Sequence, residues 1–395
     1  MTQKEELEIL RGDPIEVFDG DPMDIPCIET SDTEKLCKHP VVSVHMITYN
    51  HEPYIRQAIE GVMMQKTDFE FELVIGEDCS QDKTREICFE YQKKYPDKIR
   101  VLWWHENVSK YGGNGRRVLA RCRGEFIAFC EGDDYWIDPF KLQKQVDVMR
   151  KYTDVGLCFC GSETFYQETG IKELWCPGSF PNGEMKGEFF FNLHLLGGNM
   201  MRQDGREDFI QTATTLVRTS VLKAVKEKFK DLFSFKLMIG DTTMWLGISF
   251  LSDVYFLNEV VSVYRINAGG VTCRQRGKVA RDACLVRLYY LLCLKLPNPK
   301  YRAWFAKRIV PRILLTQNVL SKEIQVSNYN VLIQDDYFRW LSSSLYSRFV
   351  IMRWKNGNIS PRFAWLWNRF LYFKEDTIRR IYLLLKSKFR RLNYN

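Results

Sequence analysis

The sequence lacks the signals that mark secreted or membrane-spanning proteins. It contains no Cys-x-x-Cys pair and no regular spacing among its twelve cysteines. Most of these cysteines stand among apolar residues, where a free thiol behaves as a small hydrophobic group. The first residues, Met-Thr-Gln-Lys-Glu-Glu, contain no apolar signal region, so we expect a cytoplasmic protein with reduced thiols. No run of about 18 uninterrupted apolar residues occurs, so no transmembrane helix is predicted.

The composition is that of a globular protein with an uneven distribution of charge. The chain has 395 residues, of which 45% are hydrophobic and 14% aromatic, enough for a full core and more than one domain. Residues 1–38 carry eleven acidic and four basic side chains, whereas residues 351–395 carry eleven basic and two acidic ones. This polarity indicates an acidic leader and a basic tail that faces an anionic partner.

Apolar strand-like runs alternate with helical patterns through the first half of the chain. After an irregular stretch over residues 1–38, we predict strands at residues 41–47, 69–75, 99–104 and 126–130. Helical spacing of apolar residues separates these runs. This alternation is typical of right-handed βαβ units, so the sequence predicts an α/β fold with a mainly parallel sheet and flanking helices.

Acidic side chains follow the fourth of these strands directly. The run Glu131-Gly132-Asp133-Asp134 would lie at the carboxyl end of a buried strand, where open α/β sheets place their ligands. Two adjacent aspartates repel each other unless a cation or a positive group lies between them. A divalent metal that holds a nucleotide diphosphate would satisfy the pair; a solvated acidic turn is the alternative.

Two other predicted strands also end in polar clusters. Thr48, Tyr49 and Asn50 follow the first strand, and Glu77 and Asp78 follow the second. Because the carboxyl ends of parallel strands share one edge, these clusters should converge with the acidic run on a single site. Solvation explains each cluster separately but not all of them together, which favours a nucleotide site.

The motifs, taken in order, resemble family 2 glycosyltransferases of the GT-A fold. The matching segments are Thr48-Tyr49-Asn50, Glu77-Asp78-Cys79-Ser80 and Gly132-Asp133-Asp134-Tyr135-Trp136. The resemblance covers about residues 40–270. Within the family, the sequence is similar in its motifs to bacterial members that build surface polysaccharides such as capsule. The resemblance implies a Rossmann-like GT-A domain over residues 39–272, which the leader precedes. Outside the resemblance, the spacing of apolar residues predicts a helical extension over residues 273–395.

The resemblance implies donor contacts at the strand ends. Thr48, Tyr49 and Asn50 would lie against the nucleoside, and Asp78 would bind the base. Glu77 stands where the family commonly has Asp. Further expected nucleotide contacts are Asn107, Asn114 and one of the arginines Arg116 and Arg117. For the arginines, a solvated helix face is the alternative.

The acidic run matches the metal-binding motif of the family. By this resemblance Asp134 would bind Mg²⁺ or Mn²⁺ on the diphosphate, and Asp133 would contact the ribose or the sugar. Asn267 stands where the family often has a histidine that completes this site, so we include it as a candidate metal ligand. Tyr135 and Trp136 are expected to pack in the domain rather than to stack on a sugar.

Asp241 occupies the position of the family's general base at the start of a helix. Gly240 replaces the first acid of that region. An inverting transfer needs a base to take the proton from the acceptor hydroxyl, and burial would have to raise the pKa of the carboxylate for this role. The alternative is an aspartate that caps the following helix, and the two roles are compatible.

The basic tail admits two interpretations. In residues 377–391 apolar side chains share one helical face that basic side chains surround, which is typical of a helix on an anionic membrane. The alternative is a helix that packs on the catalytic domain. Under the first interpretation, the protein would bind peripherally to the inner face of the cytoplasmic membrane. Nucleic acid is not an expected partner, because no nucleic-acid motif is present.

The sequence therefore predicts a metal-dependent, inverting transfer of a sugar from a nucleotide-sugar donor to a saccharide or lipid-linked acceptor. One alternative is a sugar-phosphate nucleotidyltransferase, which would need a glycine-rich basic loop where residues 48–53 stand. The other is a non-catalytic membrane-surface scaffold, which Gly240 and Asn267 leave open.

Overall fold

The computed structural model describes residues 26–109, 113–175, 180, 182–187, 190, 210–228 and 240–268. All of these belong to one compact unit, residues 11–278. The basic tail, the predicted helical extension after residue 272 and the first 25 residues lie outside the described part of the chain.

Strands and helices alternate through the first 150 residues, as the sequence predicts. The strands are β1 Ile28–Thr30, β2 Val42–Thr48, β3 Phe71–Glu77, β4 Ile99–Trp103, β5 Phe126–Phe129, β6 Tyr135–Trp136, β7 Val155–Tyr166, β8 Lys172–Trp175, β9 Gly183–Met185, β10 Leu216–Arg218 and β11 Asp253–Ile266. The helices are α1 Ile55–Met63, α2 Thr84–Lys94, α3 Asn114–Arg121, α4 Lys141–Lys151, α5 Thr219–Lys228 and α6 Gly240–Leu251, with a 3-10 turn at Thr212–Thr214.

The described strands form one mixed sheet in the order β1-β4-β3-β2-β5-β10-β7-β11-β6, with β8 on β7 and β9 on β11. The strands β4, β3, β2 and β5 run parallel, so their carboxyl ends lie at one edge. β7 and β11 are also parallel, whereas β10 runs antiparallel to both of its neighbours. This arrangement confirms the predicted α/β fold with a mainly parallel sheet and flanking helices.

The core explains why the central strands read as continuous apolar runs. Every residue of β3 and all but one of β2 are buried, because helices cover both faces of the sheet. On α1 the apolar side chains recur at helical spacing and are fully buried: Ile55, Ala58, Ile59 and Val62. Burial of each isoleucine or valine side chain contributes about 1.5–3 kcal/mol to stability, which fixes the helix on the sheet.

Several predicted boundaries are wrong for identifiable reasons. β1 lies inside the predicted irregular leader; it pairs with β4, and Glu29 binds Arg100 at 2.8 Å. The Gly, Pro and Asn residues of segment 161–205 predict loops, yet β7 continues to Tyr166 and β8 and β9 follow. The composition of residues 211–217 predicts one strand, but this segment divides into a 3-10 turn and β10. Pairing with distant strands decides these segments, and local periodicity does not show it.

No described helix is long and apolar enough to cross a membrane.

Candidate functional site

The polar ends of three parallel strands lie side by side. Thr48 pairs with Glu77 across β2 and β3, and the amide of Asp78 donates to the carbonyl of Thr48 at 3.1 Å. After β5 the chain turns back against β2, where the amide of Gly132 donates to the Ile47 carbonyl at 2.9 Å. The convergence of the predicted clusters is therefore a feature of the structure.

The loop after β2 is joined to the loop after β3 by Asn50. This residue has a φ of 54°, a left-handed conformation that asparagine tolerates better than most residues. Its amide donates to Ser80 Oγ at 3.0 Å, and its Oδ1 accepts from the Gln81 amide at 2.8 Å. Next to it, Tyr49 is 38% exposed and open to a ligand. Thr48 is buried, and its hydroxyl oxygen has no hydrogen-bond partner among the described residues.

Glu77 is fully buried, and protein groups engage both of its oxygens. Its Oε1 accepts from the Ser80 amide at 2.7 Å, and its Oε2 binds Arg85. Arg85 also donates to the carbonyl of Trp104 at 2.9 Å. The carboxylate expected to contact the donor thus organises the loop after β3 in this structure.

Asp78 holds the loop that follows β4. It accepts from the Val108 amide at 2.7 Å and from the Ser109 amide at 2.9 Å, which fixes the position of the half-buried Asn107. Burial raises the pKa of Asp78, and the backbone hydrogen bonds oppose this shift. Both oxygens of Asp78, the residue expected to bind the donor base, accept hydrogen bonds from backbone amides.

Two further expected nucleotide contacts on α3 are buried. Asn114 donates to the carbonyl of Gly76 at 3.0 Å and thereby joins α3 to β3. Arg117 is 3% exposed, and its guanidinium lies 5.5 Å from the ring centre of Trp104. The alternative of a solvated helix face is therefore wrong for Arg117.

The end of β11 lies against the two aspartates of the acidic run. The backbone amide of Arg265 donates to Asp134 Oδ1 at 2.8 Å, and Asn267 Nδ2 donates to Asp133 Oδ2 at 3.1 Å. Burial, and then the charges of Asp133 and Glu131, raise the pKa of Asp134 well above its usual range. This cluster of like charges is an environment that favours a bound cation.

Sequence reasoning missed three side chains of the site. Burial, then the charges of Asp133 and Asp241, raise the pKa of Glu131 to about 8, and its Oε2 has no hydrogen-bond partner among the described residues. His51 Nε2 lies 3.9 Å from Asp133 Oδ2; burial lowers the pKa of this histidine, and the charge of Asp133 opposes the shift. The third side chain, Arg265, donates from its Nε to the backbone carbonyl of Asp133 at 2.9 Å. The signals for Glu131 and His51 were their places next to the recognised motifs.

Asp241 is the second residue of α6 and is half-buried. Its Oδ2 accepts from Thr212 Oγ1 at 3.5 Å. Its charge contributes to the raised pKa of Glu131. A carboxylate in the first turn also stabilises the helix, so the structural and chemical roles remain compatible. Nearby Trp136 is buried and donates its indole N–H to the Ala213 carbonyl at 2.9 Å, as expected of a packing residue.

The acidic side chains fit a hard cation that a ligand helps to hold. In the described part of the chain no group of three or more His, Cys, Asp and Glu side chains is arranged to hold a metal alone. Mg²⁺ is commonly held by one or two carboxylates together with substrate phosphates. Asp133 and Asp134 supply carboxylate oxygens of this kind, and the raised pKa of Asp134 is consistent with a position for a cation.

Comparisons with known proteins show sequence similarity to glycosyltransferases. Residues 43–223 match the family described as glycosyl transferase family 2. The uncharacterized protein Rv1520 of Mycobacterium tuberculosis is 31% identical over 230 residues, 58% of this chain and 60% of that protein. The chain thus spans about 60% of the length of such curated relatives. The putative teichuronic acid biosynthesis glycosyltransferase TuaG of Bacillus subtilis is 36% identical over 110 residues, 28% of this chain and 42% of TuaG.

A similar fold occurs in a solved structure. S. aureus TarS 1–349 in complex with UDP has a TM-score of 0.54 at 18% identity, and the match covers 82% of this chain and 89% of TarS 1–349. This likeness concerns the fold. Together with the family match over residues 43–223 and the order of the motifs, it confirms the resemblance to family 2 glycosyltransferases and the GT-A fold seen in the sequence.

Proposed function

We propose that the protein is a metal-dependent, inverting glycosyltransferase of surface polysaccharide synthesis. It moves a sugar from a nucleotide diphosphate donor to a saccharide or lipid-linked acceptor. The observation that carries the proposal is the acidic run at the carboxyl ends of the parallel strands, beside the polar ends of β2 and β3. The names of relatives such as TuaG support the polysaccharide context.

The donor nucleoside would lie over the loops after β2 and β3. The exposed ring of Tyr49 offers a surface for the base, and the Asn50 link holds the two loops together. Asp78 fixes the loop after β4 and so places Asn107 at the same edge. These residues bind and orient the donor, and the hydrogen bonds among the loops reduce the ordering that binding requires.

Asp133 and Asp134 would receive the diphosphate and its cation. A bound Mg²⁺ or Mn²⁺ supplies charge stabilisation to the departing diphosphate. Asp134 is the candidate ligand, because it is buried and its ionised form is disfavoured without a cation. Asp133 accepts a hydrogen bond from Asn267 and lies near His51, and it would contact the ribose or the transferred sugar.

Asp241 would accept the proton of the acceptor hydroxyl. The hydroxyl of Thr212 donates to Asp241 Oδ2 at 3.5 Å, and this contact orients the carboxylate for the acceptor hydroxyl. Attack from the side opposite the diphosphate inverts the anomeric centre. The charges of Asp133 and Asp241 both help to raise the pKa of Glu131 to about 8.

Binding distinguishes this proposal from a non-catalytic scaffold with a degenerate site. We expect the full chain to bind a nucleoside diphosphate only together with Mn²⁺ in titration calorimetry against UDP, GDP and dTDP. The variant Asp134→Ala should lose this metal dependence. A chain that binds none of the three nucleotides with Mn²⁺ would contradict the proposal.

A further inference from the structure

The end of β11 holds the acidic run from behind, although 132 residues separate Arg265 from Asp133 in the chain. Strand pairing produces this contact. In the antiparallel pair of β6 and β11, Ser262 stands opposite Trp136 and Val263 opposite Tyr135. Continuing the same register places Arg265 opposite Asp133. The pairing of β11 with β6 thus brings Arg265 next to the turn that contains Asp133.

The guanidinium of Arg265 joins three separate segments. Its Nε donates to the backbone carbonyl of Asp133 at 2.9 Å. One terminal nitrogen donates to Gln57 Oε1 on α1 at 2.7 Å, and the other donates to Gln167 Oε1, just after β7, at 2.5 Å. The planar fork of arginine makes such a geometry rigid, because its donors point in fixed directions.

Aromatic rings enclose the same guanidinium. It lies 4.8 Å from the ring centre of Tyr54, 5.2 Å from that of Tyr135 and 5.5 Å from that of Phe165, and the residue is only 7% exposed. Its acceptors are neutral oxygens, so its positive charge acts on the carboxylates of the acidic run beside it. Three hydrogen bonds and three aromatic rings together fix both the position and the orientation of this buried guanidinium.

We propose that Arg265 is the positioning residue of the acidic run. It fixes the Asp133 carbonyl through its side chain and Asp134 Oδ1 through its backbone amide, and so aligns the two carboxylates for the cation and the diphosphate. This inference rests on the proposed function, in which Asp134 binds the metal and Asp133 the donor. Arg265 itself touches neither ligand.

The test compares the buried Arg265 with Arg218, a half-buried arginine of the same sheet. Arg218 on β10 resembles Arg265, because it donates to the backbone carbonyls of Val155 and Met149 and lies over the Phe126 ring, away from the acidic run. The probe is Mn²⁺ in the presence of UDP, GDP or dTDP, and titration calorimetry measures its binding to the full chain. We expect Arg265→Met to weaken Mn²⁺ binding about 10–100-fold, the usual effect of losing a residue that orients a metal ligand. Arg218→Met should lower the melting temperature but leave Mn²⁺ affinity unchanged.

Two milder variants keep the test decisive if Arg265→Met does not fold. Arg265→Lys keeps the charge but loses the fork, so we expect Mn²⁺ affinity between those of the wild type and Arg265→Met. Gln57→Ala changes an exposed side chain that orients the guanidinium, and it should weaken Mn²⁺ binding in the same direction. Wild-type affinity in both variants, or equal loss in Arg218→Met, overturns the positioning role. A wild-type chain that binds no Mn²⁺ with any of the three nucleotides overturns the metal part of the proposed function as well.

Discussion

Asn267 donates its side-chain amide to Asp133 Oδ2 at 3.1 Å. The sequence predicted Asn267 as a metal ligand beside Asp134, and the structure places it on the neighbouring aspartate. In this geometry Asn267 orients the carboxylate proposed to contact the donor. The role of metal ligand stays a prediction, and the contact with Asp133 leads to a more direct test.

We expect Asn267→Ala to weaken donor binding by about fivefold, because one hydrogen bond to a carboxylate contributes about 1 kcal/mol. Titration calorimetry with the preferred nucleoside diphosphate and Mn²⁺ measures the change. Asn182→Ala is the control, since Asn182 accepts from the Asn258 amide and does not contact the acidic run. Equal affinity in Asn267→Ala and the wild type would show that the contact does not orient Asp133 for the donor.

We expect Asp241→Asn to lower kcat by about 10²–10⁴-fold with little effect on donor binding, because an amide cannot accept the proton of the acceptor hydroxyl. Steady-state rates and calorimetry separate the two effects. Thr212→Val removes the hydroxyl that donates to Asp241 and should lower kcat by a smaller factor. If Asp241→Asn retains wild-type kcat, the general base is another group.

The buried Lys141 predicts a dependence of stability on pH. Burial lowers the pKa of Lys141 from 10.5 to about 8, so between these values the unfolded chain holds a proton that the folded chain has released. The free energy of unfolding therefore rises with pH through this window. Below it, the folded protein bears the full penalty of a buried charge.

Replacing Lys141 by methionine tests this account. Lys141→Met should raise the free energy of unfolding by about 1–3 kcal/mol near pH 7, and the gain should vanish above about pH 10.5. Lys144→Met is the matched control on the same helix, since hydrogen bonds from Lys144 to Asp138 and Glu259 raise its pKa. Urea unfolding at several pH values gives the difference. A stability gain in Lys144→Met, or a loss in Lys141→Met near pH 7, would contradict the assignment.

The close packing at Gly132 predicts a steric effect on the site. A Cβ atom at Gly132 would lie 2.6 Å from Thr48 Oγ1 and 2.9 Å from His51 Nδ1, so Gly132→Ala must displace the loop after β2 or the acidic run. We expect weaker nucleotide binding and a lower melting temperature. Gly170→Ala is the control: it strains a residue with a φ of +70° but meets no atom within 4 Å. Unchanged nucleotide affinity in Gly132→Ala would show that the acidic run tolerates this displacement.

Residues near the strand ends could be predicted because local signals determine them. A buried parallel strand reads as a continuous apolar run, so the ends of β2, β3 and β5 are visible in the sequence, together with the polar residues that follow. The structure places Thr48 beside Glu77 as that pattern implies. The prediction could not show that the Glu77 carboxylate is used by Ser80 and Arg85, since these partners depend on the path of the loop.

Contacts that depend on distant pairing could not be predicted from local pattern. The three residues of β1 show no periodicity, and only the edge of β4 and the pair of Glu29 with Arg100 make them a strand. Arg265 gave no signal, because its place behind Asp133 follows from the register of β6 on β11. The sequence thus predicts the candidate residues at the strand ends but does not reveal Arg265, which hydrogen-bonds to the acidic run.

Transfer itself is the most direct test of the central claim. The wild-type chain is screened with nucleotide sugars and candidate saccharide or lipid-linked acceptors, and the released nucleoside diphosphate is measured. We predict metal-dependent release with one donor and a loss of about 10²-fold or more in each of Asp134→Ala and Asp241→Ala. Full transfer by both variants with that donor would contradict the account.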